Sequence, residues 1–191
     1  KISELLNQGR SQHEAGRRQE AIQFYRQVLD CQPHNLEALN NLAIALKQEK
    51  QFTEAIALLR QALTIEPNAP YLHNNLANIL WQENQLEAAK AHYQQALTAN
   101  PNYADAWYGL GNVFASLGEL DRAINSYQQA LSRNPNYPET YNNLGNVLQA
   151  QGKLKEALDC YKKTLELNPN HPGARWNQGF TLLLAGDLQR G

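Results

Sequence analysis

The sequence predicts an all-α solenoid, a stack of helical hairpins repeated every 34 residues. Three observations predict it. Pro33, Pro67, Pro101, Pro135 and Pro169 recur at that step. Ala21, Ala55, Ala89, Ala123 and Ala157 keep it, as do Leu29, Leu63, Leu97, Leu131 and Leu165, while Tyr25, Leu59, Tyr93, Tyr127 and Tyr161 fill one large apolar slot. Within a period the apolar residues follow helical spacing: Trp107, Leu110, Gly111 and Phe114 stand at i, i+3, i+4 and i+7, on one helix face.

Residues 104–137 give the cleanest unit. Gly118 ends its first helix, because a residue without Cβ enters the left-handed region at little cost. Ala123, Tyr127, Ala130 and Leu131 then form a second apolar face, and Pro135 stops that helix, since proline cannot continue one. The order of Trp107, Leu110, Gly111, Phe114, Ala123, Tyr127 and Pro135 resembles the tetratricopeptide repeat family. The resemblance covers essentially the whole chain and implies a right-handed superhelix with a concave inner face. It gives units 2–35, 36–69, 70–103, 104–137 and 138–171, with a partial unit 172–191. Residues 1–191 are therefore expected to form a single array, part of a longer chain.

In the first unit Gln8 and Gln12 replace apolar residues, and Arg18 stands where Phe52, Leu86, Leu120, Leu154 and Leu188 stand elsewhere. A polar outer helix suits the end of an array, so a cap is expected there, the alternative being that an upstream segment packs on it. The second and third units carry Lys50 and Asn84 at the position of Gly118 and Gly152. Lysine in a left-handed turn costs about 1 kcal/mol, which makes Lys50 a local weak point. His73 takes the Trp107 slot. The fifth unit is regular, with Tyr141, Leu144, Gly145, Leu148, Gly152, Ala157 and Pro169. In the sixth, Arg175 and Gln178 replace the Trp and Leu residues, and Leu182, Leu183 and Leu184 form an apolar run without a following partner. That run is expected to be an interaction surface, with self-association as one use of it.

A net charge of −1 and a pI near 6.6 leave no electrostatic footprint for nucleic acid or an anionic membrane. No apolar run approaches the roughly 20 residues that span a bilayer. Cys31 and Cys160 lie four units apart, so they are expected as unpaired, small buried hydrophobes in a reducing, cytoplasmic setting. His13, His34, His73, His92 and His171 are scattered without acidic or thiol partners at ligand spacing, and no metal or other cofactor is expected. No zinc-protease, phosphate-loop or nucleophile-elbow motif is present. Gly109-Leu110-Gly111 sits inside a helix and lacks the third glycine of a dinucleotide loop. Glu119 and Asp121 sit at a helix start, where the dipole favours acids. The chain is read as non-catalytic.

The informative feature is a second stripe on each first helix, expected to face away from the hairpin partner. One column holds Asn7, Asn41, Asn75, Gly109, Asn143 and Asn177, and its neighbour Asn40, Asn74, Tyr108 and Asn142. A third holds Arg10, Ile44, Asn78, Asn112 and Asn146, and a turn later come His13, Lys47 and Trp81. An asparagine amide offers an acceptor and a donor side by side and so reads peptide backbone. Helices pack about 8–10 Å apart and an extended chain advances about 3.3 Å per residue, so one asparagine per unit would meet about every third peptide residue. Trp81, Tyr108, Tyr71 and Trp176 supply candidate apolar anchors. The competing use of these amides is hydrogen bonding between repeats, and Gly109 interrupts the ladder.

The stripe is similar to the asparagine ladder of O-linked N-acetylglucosamine transferase arrays. With only Arg10 and Lys47 as cations, a terminal carboxylate is disfavoured as ligand. The expected function is a scaffold holding an extended, mostly uncharged peptide of a protein partner. The alternative is the substrate- or partner-recruiting arm of a larger enzyme such as a glycosyltransferase.

Overall fold

The computed structural model describes residues 1–186, which form eleven helices and no strand among them. The chain divides into two compact units, Lys1–Ala99 and Asn100–Gly191. The first holds α1 (Ile2–Glu14), α2 (Arg18–Cys31), α3 (Leu36–Gln48), α4 (Phe52–Ile65), α5 (Pro70–Gln82) and α6 (Leu86–Ala99). The second holds α7 (Ala104–Ser116), α8 (Leu120–Arg133), α9 (Pro138–Ala150), α10 (Leu154–Leu167) and α11 (Pro172–Leu184). Within each unit, odd-numbered helices pair with the next even-numbered one as a hairpin and pack on the hairpin that follows. The all-α hairpin repeat expected from the period is what the chain forms.

The helix ends follow from local chemistry. Asn35 Oδ1 accepts from the Ala38 backbone N–H at 2.9 Å, and Pro70, Pro138 and Pro172 open their helices where a missing N–H costs nothing. The turns inside the hairpins all use the left-handed region. Lys50 (φ 59°) and Asn84 (φ 58°) adopt it like Gly118 (φ 75°). This geometry lets the Gln51 N–H reach the Leu46 carbonyl at 2.9 Å, closing the last turn of α3.

The core repeats in the columns read from the sequence. All five alanines from Ala21 to Ala157 are fully buried, and Tyr25, Leu59, Tyr93, Tyr127 and Tyr161 are at most 1% exposed. Such close packing asks for small residues on the facing helix. A Cβ on Gly111 would lie 2.5 Å from Tyr127 Cε1, and one on Gly145 2.6 Å from Tyr161 Cε1. Helix α1 buries only Leu6 and Gly9, while Arg18 donates to Gln48 Oε1 at 2.9 Å. Leu188 lies outside the described residues.

One expectation is corrected here. Cys31 is exposed, at the last position of α2, whereas Cys160 is half-buried. A helix's final residue has no following turn to cover it, so small size alone does not bury it.

Candidate functional site

The stripe of amides sits on α1, α3, α5, α7, α9 and α11, but the side chains are not equally available. In the first unit, Asn7 is exposed and its Oδ1 accepts from Arg10, which also pairs with Glu37 at 3.2 Å. Asn40 and Asn41 are half-buried; Asn40 Nδ2 donates to Asn41 Oδ1 at 3.3 Å, and Asn75 Nδ2 donates to Asn40 Oδ1 at 2.8 Å. Asn74 is 4% exposed and its Oδ1 has no partner among the described residues. Asn78 Oδ1 accepts from the Tyr93 hydroxyl at 2.6 Å. Trp81 is half-buried and engaged. A cavity of about 300 Å³ opens between α1 and α3, lined by Arg10, His13, Glu14, Tyr25, Asn41 and Ile44.

The second unit repeats the scheme with one substitution. Asn112 Oδ1 accepts from the Tyr127 hydroxyl at 2.8 Å and from Asn143 Nδ2 at 2.9 Å. Asn146 Oδ1 accepts from the Tyr161 hydroxyl at 3.0 Å and from Asn177 Nδ2 at 2.8 Å. Asn143 Nδ2 also reaches the Tyr108 hydroxyl at 3.2 Å, where Asn177 Nδ2 meets Asn142 Oδ1 at the same distance one hairpin later. Tyr108 thus fills the place of an asparagine. Asn142 Nδ2 donates to Asn143 Oδ1 at 3.2 Å.

The column of Asn78, Asn112 and Asn146 therefore does not face away from the hairpin partner, contrary to the helical-spacing expectation. The reason is the length of the tyrosine. In the second unit its ring lies against the glycine before the asparagine (Gly111, Gly145), and its hydroxyl reaches one residue further. These bonds consume the carbonyl ends. The Nδ2 groups of Asn41, Asn78 and Asn146 have no protein partner among the described residues, whereas the Asn112 side chain also hydrogen-bonds the Tyr108 phenol. What remains on offer is a set of N–H donors, with Asn146 the most exposed of them.

The electrostatics favour neutral hydrogen-bonding chemistry. Burial raises the Tyr108 and Tyr127 phenols above their ordinary value and pushes Tyr25 up to about 12, so these hydroxyls stay protonated donors. Lys47, half-buried on the last turn of α3, is lowered by desolvation. The Cys160 thiol is pushed up to about 11 by burial, with Asp159 and Glu156 adding to it, which leaves it a poor nucleophile. No group of three or more His, Cys, Asp or Glu that could hold a metal occurs among the described residues, and no helix there is long and apolar enough to cross a membrane.

Sequence spacing missed one contact. His73 Nδ1 lies 3.0 Å from His92 Nδ1, with the rings stacked 5.2 Å apart. The signal was the repeat itself, since positions 73 and 92 correspond to Trp107 and Ser126 of a facing pair of helices. The Trp107 slot also has a shared polar task. His73 Nε2, Trp107 Nε1 and Arg175 each hydrogen-bond the carbonyl of the proline six residues earlier, at 2.9, 2.9 and 3.0 Å.

A family model described as TPR repeat matches residues 77–118 and 111–152. Two described as Tetratricopeptide repeat match residues 138–171, and residues 12–79 and 46–92. No curated protein sequence matches significantly. Among solved structures, MamA is 29% identical over 84% of this chain and 94% of its own, with a TM-score of 0.72. A thermophilic TPR protein of Thermus thermophilus, TTC0263, is 27% identical over 96% of this chain and all of its own, at 0.80. YrrB, described as a TPR protein with an unusual peptide-binding site, is 20% identical over 96% of this chain and 91% of its own, at 0.66, a likeness of fold.

Proposed function

The chain belongs to the tetratricopeptide repeat family, a fold of protein-interaction scaffolds, and we propose that its first-helix face holds an extended, mostly uncharged peptide by its backbone carbonyls. One observation carries this reading. In Asn78 and Asn146 the Oδ1 is engaged by a tyrosine hydroxyl, which orients the amide and leaves its NH2 without a protein partner among the described residues. A fixed donor loses little entropy when it meets a peptide carbonyl. Asn41, beside the cavity under α1 and α3, presents another. Each compact unit carries its own stretch of donors. The description of YrrB as a peptide binder supports the same use of the fold.

Aspartate is the decisive replacement, because it keeps the acceptor that the tyrosine needs and removes the donor. Peptides selected on the wild-type chain from an arrayed library of uncharged sequences should bind Asn41→Asp/Asn78→Asp/Asn146→Asp at least about tenfold more weakly, with helicity and melting retained. Equal binding by the triple variant, or no selectable peptide, overturns the reading.

A further inference from the structure

A buried tyrosine hydroxyl needs an acceptor, and most of the hairpins supply one from their own first helix. Tyr93, Tyr127 and Tyr161 donate to Asn78, Asn112 and Asn146 at 2.6, 2.8 and 3.0 Å. Gln149 Oε1, a turn further along α9, also accepts from Tyr161 at 2.9 Å. Each of these acceptors is a carboxamide oxygen. The second hairpin has no such need, because Leu59 carries no hydroxyl and Ile44 stands in the asparagine column. In the first hairpin the tyrosine is kept, but Arg10 and His13 stand where Asn146 and Gln149 stand in the fifth.

Tyr25 is seated as the other rings are. A Cβ on Gly9 would lie 2.6 Å from Tyr25 Cε1, as one on Gly145 would from Tyr161 Cε1, so the hydroxyl is aimed at residue 10. An arginine has donors and no acceptor, and Arg10 spends its own on Glu37 at 3.2 Å and on Asn7. His13 is held by Gln48, with Nε2 2.9 Å from Oε1. Tyr25 is 1% exposed, and its hydroxyl has no hydrogen-bond partner among the described residues. It borders the cavity of about 300 Å³ whose other walls are Arg10, His13, Glu14, Asn41 and Ile44. These walls come from α1, α2 and α3, all within one compact unit, so the space is not the seat of a further helix. Its counterpart between α7 and α9 is where Asn112 meets Tyr127 and Asn143.

We propose that this cavity takes a side-chain carboxamide of the bound peptide, a glutamine or an asparagine, whose oxygen accepts from the Tyr25 hydroxyl. The peptide then supplies the group that the chain's own asparagine supplies in the later hairpins. Asn41 Nδ2, which has no protein partner among the described residues, is a second donor for the same oxygen. Glu14 in the wall offers an acceptor to the incoming NH2 and repels a carboxylate. Arg10 does not reverse that preference, because its charge is already met by Glu37. An apolar side chain would leave the buried hydroxyl unpaired and is rejected for that reason. The assignment rests on the peptide-holding reading above and adds which side chain the groove selects, and where.

The test couples one hydroxyl of the chain to one side chain of the peptide. Peptides selected on the wild-type chain from the uncharged library should share a glutamine or asparagine. Replacing it by leucine should weaken binding to the wild-type chain by about tenfold or more, but to Tyr25→Phe by less than about threefold, read by fluorescence anisotropy of labelled peptides. Replacing it by glutamate should weaken binding to the wild-type chain as well. Tyr25→Phe removes no bond within the chain, so its melting temperature should match wild type, whereas Tyr127→Phe loses the bond to Asn112 and should melt lower. An equal loss on both chains, or selected peptides without a carboxamide, overturns the proposal and leaves the hydroxyl to water. Tighter binding of the glutamate peptide also overturns it, by assigning the cavity to a carboxylate. Asn78 and Asn146 do not line the cavity, so Asn78→Asp/Asn146→Asp tests the peptide-holding reading separately. If that variant binds weakly and the Tyr25 coupling is absent, the proposal alone fails; if no peptide can be selected, both fall.

Discussion

His73 and His92 form a pair whose protons can be placed from their neighbours. The Pro67 carbonyl only accepts, so His73 Nε2 carries a proton; in the neutral ring Nδ1 is then a lone pair and His92 Nδ1–H donates to it. Burial is the main cause lowering His92, with His73 and Arg60 adding to it. A folded value below the ordinary one, about 6.5, means that the stability is present above that pH and lost as the pH falls below it. Melting temperature should therefore drop between about pH 7 and pH 5. The double variant His73→Trp/His92→Ser, which copies Trp107 and Ser126, should flatten that slope. Lys50 is a second residue-scale liability. At φ 59° its Cβ is strained, so Lys50→Gly should raise unfolding stability by about 1 kcal/mol in a denaturant titration. Both the turn and its cost were readable from the column of Gly118 and Gly152, because a left-handed turn is a local property.

At the scale of the hairpin, one position in two helices gives opposite predictions. Gly111→Ala places a Cβ 2.5 Å from the buried Tyr127 ring and should destabilise by about 1–3 kcal/mol, partly offset by better helix propensity. Gly179→Ala meets nothing among the described residues and should stabilise by about 0.5–1 kcal/mol. Thermal melting of the two variants reads both signs. The sequence alone places these glycines as equals. The same limit applied to the asparagines: helical spacing put Asn78, Asn112 and Asn146 on the first helices, but a tyrosine 15 residues later decides which end of each amide is spent.

For the whole molecule, the net charge of −1 and the ion pairs, mostly between exposed side chains such as Arg26 and Glu54, leave electrostatics a small share of stability. Raising sodium chloride from about 0.1 M to about 1 M shortens the screening length from about 10 Å to about 3 Å. The melting temperature should move by no more than a few degrees, because alanine, leucine and tyrosine columns carry the core. A large fall would mean that the exposed pairs matter more than their solvation allows.

Period, helix ends and the core columns were determined by the sequence itself, since they depend on backbone preference and on residues a turn or a hairpin apart. Tertiary structure decided which polar groups were left over. The donors of Asn41, Asn78 and Asn146 and the facing rings of His73 and His92 each depend on a side chain from another helix. A hydrogen bond or a van der Waals contact has a reach of a few ångströms, so only the packed arrangement determines whether it is already made.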